Sequence, residues 1–102
     1  MNTAKDRRAR LHRALDRVLD RRGAARDDAG SENAARNWEE KLLVPLAIAA
    51  ENARDARVRR FYEDDLRAAK SAVDKLRASA YASKQFNTWA DQLRYIARKN
   101  RI

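Results

Sequence analysis

ARDARVRRFYEDDLRAAKSAVDKLRASA, residues 53–80, is the stretch whose reading decides the fold. Within it Val58, Tyr62, Leu66, Ala69, Val73, Leu76 and Ala80 step by four or three residues throughout. That spacing keeps them on one stripe of a 3.6-residue helix, close to a heptad seam. No stretch of the chain alternates with period two, and β-branched residues are scarce, so strands are not expected. Asn52-Ala53-Arg54-Asp55 offers an N-cap with an acid three residues later, which places a helix start near 53. An unbroken helix from 46 to 80 would be about 50 Å long at 1.5 Å per residue, awkward for a domain of this size.

Working outward, Ser31 is a candidate cap for a helix over about 32–51, with Trp38, Leu42 and Leu46 on one face. Pro45 lacks an N–H and its ring clashes with the carbonyl four residues back, so a kink is expected near 41–44. Residues 23–31, GAARDDAGS, read as a loop. Before them a helix over about 4–22 is capped by Thr3 with Asp6, ends at Gly23, and places Leu11, Leu15, Val18 and Leu19 on one face. Downstream, Thr88 with Asp91 caps a short helix over about 89–99, with Trp89, Leu93 and Ile96 facing inward. The expected fold is all-α: residues 1–102 form a single helical domain, a small three- to four-helix bundle.

The core of such a bundle is thin. Alanine supplies 21 of the 45 apolar residues, leaving 24 larger side chains along the chain. Alanine buries little area, so burial exceeds the entropic cost of folding by a narrow margin. Completion of the core by a second copy, as a homodimer, or by another partner is therefore expected. There is no cysteine, which excludes disulfides and thiolate metal sites. No apolar run reaches the ~18–20 residues of a spanning helix, and the charged first residues lack the apolar stretch of a secretory signal. A membrane partner is not expected, and the default location is cytoplasmic.

The net charge of +9 is unevenly spread. Residues 1–26 carry +6, residues 27–56 carry −4 and residues 57–102 carry +7, so an acidic middle lies between two basic flanks. Helical segments of opposite charge attract one another within a bundle or across a dimer. On the first predicted helix Arg10, Arg13, Arg17 and Arg21 line up opposite the leucine face, with Arg7 adjoining. Such a rail suits phosphate oxygens, although solvated charged faces of this kind are common, and Asp6, Asp16 and Asp20 offset part of it. In the central helix Glu63–Arg67, Arg60–Asp64 and Lys70–Asp74 have i,i+4 spacing, which reads as local pairing. From Gln92 onward Arg94, Arg98, Lys99 and Arg101 follow with no acid, and Tyr95 projects away from the apolar face. An aromatic among cations suits stacking on a base or a protein interface; cations in a last helical turn also simply complement the macrodipole.

Catalytic chemistry is not legible. The one histidine, His12, borders the leucine face and reads as a packing residue. Arg7-x4-His12 resembles the arginine–histidine motif of HEPN-type ribonucleases, which are also small helical domains. The resemblance covers two residues, and Arg8 stands where that family has a small polar residue. In a chain this rich in arginine such a match arises by chance. Asp27/Asp28, Glu39/Glu40 and Glu63/Asp64/Asp65 are adjacent carboxylates that read as solvated surface, without the Glu-x-x-His pattern of a bundle metal site. Trp38 and Trp89 lie at core spacing, and no cofactor site or phosphate loop is evident. A turn before the last helix, at 82–87, lacks the tight glycine of a helix-turn-helix unit.

These readings predict a non-enzymatic basic helical binding protein. Its expected partner is nucleic acid, or a nucleic-acid-processing complex, held through the first helix and the C-terminal cations. The alternative is a protein–protein interaction module, an inhibitor or adaptor such as a phage- or plasmid-type accessory factor, docking on an acidic protein surface.

Overall fold

The computed structural model describes residues 29–102, and every described element is helical. The predicted helix over 4–22, with its leucine face, lies outside the described residues. The elements are α1 (Ala29–Trp38), a π-helical turn (Glu39–Leu43), α2 (Val44–Asn52), α3 (Ala56–Ala78) and α4 (Lys84–Lys99). The first three follow one another without a gap. α3 is the shared element: α1, α2 and α4 all pack against it.

The disturbance expected before Pro45 takes the form of this π turn, and the chain continues helically through it. In α register the Lys41 carbonyl would accept from residue 45, but Pro45 has no N–H and its ring crowds that oxygen. Widening the turn shifts the bonding, and the Val44 N–H reaches the Glu39 carbonyl, five residues back. The break between the second and third predicted helices is present, at residues 53–55. Its cap is one turn later than the sequence suggests: Asp55, not Asn52, accepts from the Arg57 N–H at 2.7 Å and the Val58 N–H at 3.4 Å.

Two further boundaries differ from expectation. α1 begins at Ala29, so Ser31 lies inside it and donates its hydroxyl to the Ser79 carbonyl across the bundle. α4 begins at Lys84, not 89, because Ser83 accepts from the Phe86 N–H at 3.1 Å; Thr88 instead donates to the Lys84 carbonyl within the helix. The α3–α4 turn runs through Ala82 at φ 62°, and the Tyr81 ring lies over Gly30, where an added Cβ would meet its Cγ at 2.7 Å. α4 ends in a Schellman motif: Arg101 at φ 57° donates to the Arg98 carbonyl and Ile102 to the Ala97 carbonyl.

The core joins Leu42, Leu43 and Leu46 to Leu66, Val73 and Leu76 of α3, and these to Phe86, Leu93 and Ile96 of α4. Buried alanines at 35, 47, 69, 72 and 90 sit among them, small enough to let the helices approach closely. The α3 seam is buried from Leu66 to Leu76, but Val58 and Ala80 at its two ends are exposed. Trp89 is half-buried under Lys75, whose Nζ lies 4.5 Å from the ring centroid.

One polar cluster is built into this apolar frame. Arg77 donates from Nε to Glu32 at 2.9 Å and from Nη2 to Glu39 at 2.8 Å, and Glu32 also accepts from Arg36 at 3.2 Å. Glu39, read from sequence as solvated surface, has a side chain 4% exposed; its neighbour Glu40 is the exposed one. Burial works against the Arg77 charge, but the fields and hydrogen bonds of Glu39 and Glu32 outweigh it, and the guanidinium pKa is raised. The attraction expected between acidic middle and basic flank thus has one concrete form, a clamp between α3 and the α1–π segment.

Candidate nucleic-acid interface

The five arginines predicted on the first helix, Arg7, Arg10, Arg13, Arg17 and Arg21, lie outside the described residues. The C-terminal group is described, and its members have different surroundings. Arg94 pairs with Asp91, one turn before it, so the segment is less uncompensated than its own composition suggests. Lys99 donates to Asp65 of α3 at 3.1 Å, and the same carboxylate accepts from Asn100 at 3.0 Å. The hydrogen bond and charge of Asp65 raise the Lys99 pKa. Lys99 is therefore an anchor of α4 on α3, and Asp65 is a structural partner with a side chain 16% exposed. Arg98 and Arg101 are exposed and make no ion pair among the described residues. Tyr95 is 60% exposed.

The Asp65–Lys99 contact also marks where α4 stops along α3. The C-terminus of α4 lies level with residue 65, so the start of α3, residues 56–61, runs on past α4 with α2 alongside it. Arg54, Arg57 and Arg60 belong to this projecting end, together with Phe61, 70% exposed, and Val58, 41% exposed. The i,i+4 spacing suggests that Arg60 is paired with Asp64. In the structure Asp64 pairs with Arg67 at 3.3 Å and Asp74 with Arg77 at 3.8 Å, which leaves Arg60 without an ion pair among the described residues. The signal that could have exposed this cluster is the placement of arginines, and of no acid, in a first helical turn.

A groove of about 640 Å³ lies between the α1–α2 segment and α4. Its apolar lining is Trp38, Pro45, Ala97 and Ile102, with Glu40, Lys41, Arg94 and Arg98 around it. Ile102 reaches it because the Schellman turn folds the chain back on α4. Among the described residues no group of acids and histidines could hold a metal ion, and no helix is long and apolar enough to cross a membrane. Comparison with protein-family models, with curated proteins and with solved structures gave no match.

Proposed function

We propose that the protein is a basic helical binding protein that associates with nucleic acid through the end of the bundle where α4 stops and α3 begins. The observation that carries this reading is a set of exposed arginines that make no ion pair among the described residues, Arg54, Arg57 and Arg60 at the start of α3 and Arg98 and Arg101 at the end of α4. Guanidinium groups that no described carboxylate engages are available to phosphate oxygens. Each phosphate contact displaces condensed counterions, so affinity falls steeply as salt rises.

The test is a titration of labelled nucleic acid from about 50 to 200 mM salt, where several phosphate contacts weaken binding by orders of magnitude. Arg98→Glu with Arg101→Glu is expected to weaken binding at least tenfold at low salt and to flatten the salt dependence. Both side chains are exposed, so the fold is retained. Binding absent at low salt, or unaltered in the double variant, would rule this reading out.

The groove supports a second reading, an acidic protein segment with an apolar anchor. Its lining is apolar, and three cations face one acid around it. A partner retained through nuclease treatment, but released by Ile102→Asp, would favour this alternative.

A further inference from the structure

The first two turns of α3 hold an arrangement that helix stability does not explain. A helix N-terminus is the positive end of the macrodipole, so acids are favoured there and cations disfavoured. α3 has no acid in its first turn. It has Arg57, Arg59 and Arg60 instead, with Arg54 just ahead of the cap. Asp55 caps the helix backbone and Asp64 pairs with Arg67, while Glu51 and Glu63 stand beside Arg59 on another side of the helix. Arg59 turns back to the Ala53 carbonyl at 2.7 Å, while Arg54, Arg57 and Arg60 make no ion pair among the described residues.

Among these cations stands an aromatic ring that lies outside the core of the described residues. Phe61 is 70% exposed, one turn after Arg57 and next to Arg60, and Val58 adjoins it on the helix surface at 41% exposure. Among the described residues no second ring stacks on Phe61 and no cation covers it; those contacts are made at Tyr81–Phe86 and Lys75–Trp89. A concavity of about 420 Å³, lined by Ala56, Arg57, Arg60, Phe61 and Asp64, opens at the ring, with room for a planar base.

We propose that this projecting end of α3 is a stacking platform for an unpaired base of single-stranded nucleic acid. Phe61, widened by Val58, takes the face of the base, and Arg54, Arg57 and Arg60 hold the flanking phosphates. The proposal rests on the nucleic-acid reading above and narrows it. A duplex keeps its base faces stacked inside and offers only phosphates, for which an exposed phenyl ring is of no use. A single strand offers both surfaces, and aromatic stacking tolerates any base.

The experiment uses the full chain and two fluorescent probes, an oligothymidine and its duplex with oligoadenosine of equal length. The wild-type protein is expected to prefer the single strand. Phe61→Ala is expected to lower single-strand affinity about tenfold, the loss of one base–aromatic stack, and to leave duplex affinity within about twofold. Phe61→Trp is expected to restore it. Arg57→Gln with Arg60→Gln should weaken both probes and reduce the single-strand salt slope by about 0.7 for each phosphate no longer neutralised. Because Phe61 is outside the core, its replacement leaves the fold intact, which circular dichroism checks. Equal single-strand affinities for wild type and Phe61→Ala, with duplex binding retained, overturn the platform alone. Failure of the wild type to bind either probe overturns the nucleic-acid reading with it. A dimer seen by light scattering and dissolved by Phe61→Ala, at unchanged single-strand affinity, assigns the surface to a second copy and also overturns the platform.

Discussion

Ala82 occupies the left-handed region at φ 62°, where its Cβ crowds the following carbonyl at a cost of about 1–2 kcal/mol. Glycine removes that cost but loses about 0.4–1 kcal/mol more backbone entropy on folding. Ala82→Gly is therefore expected to stabilise the protein by about 0.5–1 kcal/mol, read as a higher urea midpoint at unchanged slope; a lower midpoint contradicts the strain argument. Residue-scale features of this kind are the least legible in the sequence. Glu39 and Glu40 look equivalent as neighbours, and only the position of Arg77, 38 residues away, separates a buried carboxylate from a solvated one. Asn52 and Asp55 are both plausible caps for α3, and the choice depends on where α2 ends, which no local pattern states.

At the scale of elements, periodicity is a reliable guide and capping a weaker one. The α3 stripe from Leu66 to Leu76 is buried as its spacing implies, and Pro45 announces a disturbance whose form, a π turn instead of a break, depends on how α2 packs on α3. The start of α4 falls earlier than Thr88 suggests because Ser83 offers the same chemistry, and burial of Phe86 favours the earlier cap. The clamp from Arg77 to Glu32 and Glu39 belongs to this scale, since it fastens one helix to another. Arg77→Met is expected to destabilise the protein by about 3 kcal/mol, because buried Glu39 loses its paired guanidinium and Glu32 keeps only the half-exposed Arg36. Chemical denaturation measures this, and a loss below about 1 kcal/mol would show the cluster to be well hydrated. Replacing Glu32 and Glu39 by glutamine in the same chain should recover part of the loss.

Over the whole molecule, composition and period are enough to foresee an all-helical bundle, while the groove and the projecting end of α3 are invisible to them. Both are products of relative helix length and offset: α4 stops level with Asp65, and no one-dimensional pattern records that register. The basic character is legible in sum but not in its distribution, with Lys99 serving as an anchor and Arg60 standing unpaired among the described residues. The shared position of α3 has a kinetic consequence. Its pairings with α2 and α4 are each closed by a connection of three to five residues, so two helical hairpins can form early from local contacts. The clamp spans 45 residues from Arg77 to Glu32, and it is expected to form after the hairpins. In stopped-flow traces Arg77→Met should accelerate unfolding by nearly the whole of its equilibrium loss and leave the refolding rate almost unchanged, marking the clamp as a latch against opening.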